Sequence, residues 1–453
     1  MTFLPRKTST LLFALGIGIA SAAAAQDASE LGKNLTPMGA EKAGNADGSI
    51  PAWDGGLTKA PAGFTPGGYY PDPYADDKPL FTIAPADVDK YKDHLTPGQL
   101  AMFKKYADYR MIVYPTHRSA AFPKANYQET MVNAASGRAK LVSGGDGLTG
   151  TNGGVAFPIP KSGNEAIWNL FTRYRGESYI TNNTQVSVTR TGDYTPVRFE
   201  YKIDYSYGSL KKKVSERSEN LLFYFLQTIT APARLAGSVL LVHEPLDQVK
   251  EQRSAWTYNP GQRRVRQAPN VSYDNPGTAA DGLRTNDDFA LFNGATDRYN
   301  WTLVGKKEIY IPYNSYKLTS DAFKLKDLVK PGHLNPDALR YELHRVWVID
   351  AKLKPGTSHI YARRTIYLDE DSWAPVLVDK YDGRGELWRF SEGHSIELYD
   401  VPFLYSTIEV HHDLQSARYV ALNLANDDKE VYVPAKLSAS DFTPSSLRDL
   451  GTR

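Results

Sequence analysis

The run from Val197 to Tyr207 limits the folds open to this chain more than any other segment. Val197, Phe199, Tyr201, Ile203, Tyr205 and Tyr207 alternate without a break with Arg198, Glu200, Lys202, Asp204 and Ser206. A period of two sends alternate side chains to opposite sides of an extended chain, so this strand has a dry aromatic face and a wet charged one. Comparable strands are expected at Ser254 to Tyr258, Arg263 to Gln267, Trp301 to Ile311 and Arg345 to Leu353. Others follow at His359 to Leu368, Val376 to Tyr381, Glu386 to Phe390 and Tyr405 to His411. Turn chemistry at Asn259-Pro260-Gly261, Asp369-Glu370-Asp371 and Asp382-Gly383 separates them. Strands do not alternate with long helices, which argues against a doubly wound parallel sheet. The expectation is a mainly β chain with accessory helices: a large antiparallel meander curling over a few of them.

Helical signals are few and local. Val88, Tyr91 and Leu95 fall on one helical face. Thr96-Pro97-Gly98-Gln99 offers a capping Thr, a Pro at the first helical position and a Gln at the third, before Leu100, Phe103 and Ala107. Ser162 with Glu165 reads as a second capping box, and Ile167, Leu170, Phe171 and Tyr174 follow at amphipathic spacing. Residues 26–80, dense in Gly and Pro, read as an extended arm. Residues 81–150 read as a helical segment ending in a Gly-rich loop, and 151–453 as the sheet domain with its C-terminal tail.

The first residues bear on compartment. Arg6 and Lys7 precede an apolar run from Leu11 to Ala20 and the small residues Ala23-Ala24-Ala25. That is the pattern of a secretory signal over 1–25, with cleavage expected after Ala25 and a periplasmic destination. The run is shorter than the roughly 20 residues a membrane span needs. The sequence has no Cys. Disulfides, thiolate metal sites and a lipid-anchor cysteine are thereby excluded. Removing the signal takes away two of the 53 basic residues and none of the 51 acidic ones, so the mature chain balances its charges. Nucleic acid, which selects a basic footprint, is not an expected partner.

Candidate chemistry is sparse, and no catalytic residue, metal ligand or cofactor is assigned. Asp369-Glu370-Asp371 sits between strands, where a solvated turn is the simple explanation. His411 and His412 are neighbours on a strand, so they point to opposite faces and do not readily share an ion. No Gly-x-Ser-x-Gly elbow and no phosphate-binding glycine loop occurs. Asn45, Asp47, Gly48 and Pro51 have turn chemistry, and with Trp53 as an anchor they read as a structural clasp. Asp47 and Asp54 are the only pair that invites a catalytic reading. Tyr201, Tyr205, Trp256, Tyr258, Trp301, Tyr310 and Trp347 supply aromatic surface for a hydrophobic ligand, although core packing explains most such stripes. Arg263, Arg264 and Arg266 could contact an anionic head group or simply guard a sheet edge.

Several blocks in order resemble a known bacterial family, domain-of-unknown-function family 1329, a LolB-like, lipoprotein-sorting-type family. They are Asn34 to Gly56, Trp256-x-Tyr258-x-Pro260-Gly261, Arg263 to Arg266, Tyr273-Asp274-x-Pro276, Asp287-Asp288, Phe292 to Asn314 and Phe442-Thr443-Pro444-x-x-Leu447-Arg448. The resemblance implies a curved, incomplete antiparallel β-barrel of the LolA and LolB type, with helices on its concave side. It also implies an acyl-sheltering cavity, and company with an outer-membrane β-barrel protein and a resistance-nodulation-division transporter. Without Cys, the lipid anchor of LolB does not carry over. Three functions follow as alternatives: a carrier or chaperone for a lipid or other hydrophobic molecule, an adaptor that docks through its arm, and a glycan-active enzyme.

Overall fold

The computed structural model describes residues 28–217, 220–428 and 432–451. The expected signal segment lies outside them. Strands β1 (Phe81–Ile83) and β2 (Met111–Val113) bracket helix α1 (Pro97–Lys105). Helix α2 (Lys124–Ser136), the hairpin β3 (Lys140–Val142) and β4 (Gly147–Thr149), and helix α3 (Gly163–Thr172) come next. A first meander then runs through β5 (Ser178–Val188), β6 (Tyr194–Tyr205), β7 (Phe223–Ala231), β8 (Val239–Glu244), β9 (Ser254–Asn259) and β10 (Arg264–Gln267). After loop 268–298 a second meander follows: β11 (Tyr299–Pro312), β12 (Tyr341–Leu353), β13 (Arg363–Asp369) and β14 (Pro375–Tyr381). It continues through β15 (Leu387–Glu397), β16 (Leu404–Asp413) and β17 (Arg418–Leu424).

One antiparallel pairing, β17 on β5, fuses the two meanders into a single sixteen-stranded sheet. Its path ends at β10 on one side and β1 on the other, so the sheet is a large curved open one and not a closed barrel. The expected mainly β architecture is therefore the observed one. Every strand named from the sequence is found, but β13 begins at Arg363 and not at His359. The segment before it turns inward as a loop that buries His359 and Tyr361.

Register defines two faces. Arg364, Lys380, Arg389 and Asp413 stand opposite one another across β13 to β16 and share one face, whereas Asp379 and Phe390 point to the other. Helix α1 lies on the Asp379 and Phe390 face. A Cβ on its Gly98 would come within 2.1 Å of the Phe390 ring, so glycine lets the helix start against the sheet. Its Thr96–Gln99 capping box forms as expected: Gln99 N donates to Thr96 Oγ1 and Thr96 N to Gln99 Oε1. Helix α3 covers the opposite face. Its Gly163 presses on the backbone of Trp301, and its Phe171 meets Phe292, which lies over Arg364. Helices therefore cover both faces of the sheet. The central strands are buried on both sides, as the all-buried β14 up to Lys380 shows, and each side needs cover.

The arm from Ala28 to about 80 has little regular structure but is tied down. Met38, Ile50 and Tyr70 enter the main core. Asn45 accepts from Ile50 N, Asp47 accepts from Ser49 N, and Gly48 takes a positive φ of 77° to complete the turn. Ile50 is 1 % exposed, whereas Pro51 is exposed and Trp53 is half-buried beneath Lys42. The expected Trp53 anchor is therefore corrected to Ile50.

The expected solvated turn at Asp369-Glu370-Asp371 is corrected too: all three are buried, at 0 %, 2 % and 4 % exposure. They are buried because the arm crosses them and cations from the body of the protein pair with them. Arg118 donates to both Asp371 carboxylate oxygens at 2.7 and 2.8 Å and to the carbonyl of Glu41 at 2.7 Å. Arg345 bridges Glu370 to the carbonyl of Ala43, Lys306 lies 2.9 Å from Glu370, and Trp373 Nε1 donates to the carbonyl of Met38. Burial, reinforced by Asp371, raises the Asp369 carboxyl to about 6.

Candidate ligand-binding cavity

The alternation of β6 sets Tyr201, Ile203 and Tyr205 on the face that α3 covers. Register places Thr181 and Tyr179 of β5 and Gln227, Phe225 and Phe223 of β7 beside them. Arg173 and Arg175, in the segment leaving α3, close one side of a cavity of about 70 Å³ over this patch. Tyr405 and Glu409 of β16 close another, and Phe289 forms the roof. A second cavity of about 50 Å³ lies on the other side of Phe289, over Phe223, Phe225 and Val242, with Arg284 in its wall. The Phe289 ring sits 5.4 Å from Phe225 and 6.3 Å from Tyr201 and is the partition between the two.

Several buried polar atoms here lack a hydrogen-bond partner: Tyr201 Oη, Glu409 Oε2, Asn423 Oδ1, Arg175 Nε and Arg284 Nε. Buried polar groups are otherwise nearly always satisfied, and each such orphan costs about 1–3 kcal/mol. Burial raises the Tyr201 hydroxyl above its ordinary value, so it stays a neutral donor. Burial, with Arg175 beside it, pushes the Arg173 guanidinium down to about 9.

The roof is held by a buried polar chain. Asp287 and Asp288 directly precede Phe289. Arg364 donates to Asp287 at 2.7 Å, and Lys380 Nζ lies 2.7 Å from Asp288, which also accepts from Tyr361. Burial alone would raise Asp288, but Lys380 and then Arg364 outweigh it and hold the carboxyl well below its usual range. Burial lowers Lys380 to about 8 even with Asp288 attached. Lys380 donates to Ser391, Ser391 lies 2.8 Å from His411 Nδ1, and His411 Nε2 lies 3.6 Å from Glu409. The order Ser391, His411, Glu409 resembles a hydrolase triad. Ser391 Oγ, however, is fully buried and accepts from an ammonium, so the geometry ties the roof to the sheet and does not present a nucleophile. Just after Phe289, Ala290 and Leu291 take φ values of 54° and 62°, a left-handed conformation that costs side-chain-bearing residues about 1–2 kcal/mol each.

Of the aromatics named from the sequence, Tyr201 and Tyr205 line this cavity. Trp301 shares the face but packs on Phe292. Trp347 stacks on Trp373 beside the arm, and Tyr310 packs under Phe81 and Tyr91. Trp256 and Tyr258 lie on the opposite face under Phe442 and Leu447 of the C-terminal tail. Arg263, Arg264 and Arg266 are exposed at the β10 edge, away from the cavity. Asp47 and Asp54 each accept from backbone two residues on, as turn caps. Arg173, Arg175, Arg284, Glu409 and Phe289 were not legible as a site, because loop and strand ends brought together only by the fold carry no motif. Among the described residues, the one donor set with metal-like spacing is His344, Asp369 and Asp371. Arg118 already occupies both oxygens of Asp371 there. A larger cleft of about 660 Å³ lies between the arm and residues 314–340, lined by Tyr69, Tyr74, Tyr114, Asp72 and Arg340 among others.

Sheet and cavity together define a mainly β protein with an open antiparallel sheet and one aromatic, arginine-bordered recess. The chain belongs to the family described as Protein of unknown function (DUF1329), whose sequence profile matches residues 82–448. It is 53% identical over 441 residues to Uncharacterized protein PA3922 of Pseudomonas aeruginosa, covering 97% of this chain and 96% of that one. A putative outer membrane lipoprotein-sorting protein domain from Vibrio parahaemolyticus and a DUF1329 family protein from Desulfovibrio piger are similar in structure. For each the TM-score is 0.41 at 14% identity, over 60% of this chain and 92% of the other. The LolA superfamily protein NE2245 from Nitrosomonas europaea gives 0.38 at 13% identity, over 63% and 98%.

Proposed function

We propose that this protein is a non-enzymatic periplasmic carrier or chaperone that shelters a hydrophobic molecule on the Tyr201 face of its sheet. The observation that supports the reading is the pair of aromatic-walled cavities with orphaned polar atoms, which share Phe289 as a wall. Cavities of about 70 and 50 Å³ are far smaller than the roughly 300–1,000 Å³ of ordinary ligand pockets. Loading therefore requires the 289–291 roof to lift, and the positive φ values there lower the cost of leaving the closed form. Each buried acyl CH₂ then contributes about 0.8 kcal/mol. Handover between a resistance-nodulation-division transporter and an outer-membrane β-barrel protein, as the family resemblance implies, belongs to the same proposal. Among the described residues no helix is long and apolar enough to cross a membrane.

Native mass spectrometry of protein purified from the periplasm, followed by solvent extraction, tests the reading. A co-purified hydrophobic molecule is expected. Protein that is always empty and takes up no fluorescent fatty acid would overturn it. A second reading, saccharide binding in the tyrosine-lined cleft, is favoured by that cleft's size of about 660 Å³. Its carboxylate Asp77 is already engaged by Arg340 at 2.6 Å. Saturable oligosaccharide binding lost in Tyr74→Ala would support it.

A further inference from the structure

We infer that the ligand is an anionic amphiphile whose carboxylate or phosphate head is held by Arg173, Arg175 and Arg284 while its tail lies on the Tyr201 and Phe225 patch. The inference rests on the carrier reading and names its ligand class. Arg173 and Arg284 are 7 % and 4 % exposed, and no described carboxylate forms an ion pair with either of them or with Arg175. Their bonds go to backbone: Arg173 to the carbonyl of Leu170, Arg175 to that of Phe171, and Arg284 to that of Thr285. Arg253, in the same wall, shows the alternative, for Glu244 neutralises it at 2.7 Å. Around the two cavities the three unpaired guanidiniums face one carboxylate without a cationic guanidinium or ammonium partner, Glu409, whose nearest cation-capable neighbour is His411 at 3.6 Å.

A buried charge is normally paired, because desolvation without a partner is costly. Leaving two buried guanidiniums and a half-buried third unpaired around these adjoining cavities is therefore a standing cost that an arriving anion relieves. Guanidinium suits the task through its planar fork, which matches carboxylate and phosphate oxygens. The Tyr201 hydroxyl and Arg175 Nε offer further donors with no present acceptor. Arg175 also lies 4.5 Å from the Tyr205 ring and 5.4 Å from that of Phe223, so the cationic rim and the apolar floor adjoin.

Binding of oleate and of oleyl alcohol at pH 8 to delipidated full-length mature protein separates head from tail. Oleate is expected to bind at least tenfold more tightly, the factor one charge-assisted hydrogen bond supplies. In Arg173→Gln and Arg175→Gln that advantage should fall severalfold while binding of the alcohol is unchanged. Arg173→Gln should melt no lower than the unsubstituted protein when empty, since it removes an unpaired buried charge, and a large drop in melting temperature would count against the inference. Equal binding of oleate and alcohol would overturn the anionic head and leave the carrier reading standing. Binding of neither would overturn both. Inorganic phosphate binding alone as tightly as oleate would reassign the recess to a free anion and overturn the amphiphile.

Discussion

Replacing Arg118 with Met should uncouple the arm from the sheet. The Arg118 side chain is 2 % exposed and supplies both oxygens of Asp371 with a donor. Removing one member of a buried pair typically costs about 3–5 kcal/mol, because the other charge is left without a partner. The lost bond to the carbonyl of Glu41 adds about 1 kcal/mol. Urea unfolding at pH 7 should show a loss of about 4–6 kcal/mol. Limited proteolysis should cut within residues 28–56 first. Adding Asp371→Asn should restore most of the loss at pH 7. A loss below about 2 kcal/mol, or an arm still protected, would refute the reasoning.

Other expectations follow from the same geometry. Burial raises the Glu392 carboxyl to about 7, with the Tyr341 hydroxyl as its donor at 3.1 Å. Its contribution is complete below the unfolded value near 4.5 and lost as the pH rises through about 7, so Glu392→Gln should remove about 2–3 kcal/mol from the fall in stability between pH 5 and pH 8. Phe289→Ala should join the two cavities, increase uptake of N-phenyl-1-naphthylamine severalfold and cost about 2 kcal/mol, below the value for a fully buried Phe because this one is half-buried. Tyr258→Ala should cost about 3 kcal/mol and expose residues 437–450 to proteases, with no change in ligand uptake, since it faces the tail and not the cavity. Tyr201→Phe removes an orphaned hydroxyl and should leave the empty protein as stable or slightly more so, which thermal melting reads directly.

What the sequence revealed follows from how each side chain is buried. β6 was legible because one of its faces is wet: Arg198, Glu200 and Lys202 interrupt the apolar set at period two. β8 and β17 were not, because their neighbours cover them on both sides and Val239-Leu240-Leu241-Val242 reads the same as a buried helix turn. Helix α2 escaped for the opposite reason: its inward side chains are Asn126, Thr130 and Asn133, so it has no apolar stripe to detect. Caps were the most faithful local signals, since Thr96 and Ser162 act within three residues and owe nothing to the rest of the fold.

The misreading of Asp369-Glu370-Asp371 shows what local reasoning lacks. Turn chemistry there is real, for Ser372 donates to Asp369 and Trp373 N closes on the Asp369 carbonyl. Whether such a turn is wet depends on what crosses it, and what crosses it is an arm more than 300 residues away, carrying carbonyls that Arg118 and Arg345 can reach together with the acids. The same contrast separates the charge cluster under the arm from the one at the Tyr201 recess. Under the arm, Arg118, Arg345 and Lys306 each pair with Glu370 or Asp371, and the outcome is a fixed clamp. At the Tyr201 recess, guanidiniums are buried without that match, beside a strained roof and an aromatic floor. A fold that satisfies its buried charges so thoroughly in one place makes the unsatisfied ones in the other the strongest physical argument for a ligand there.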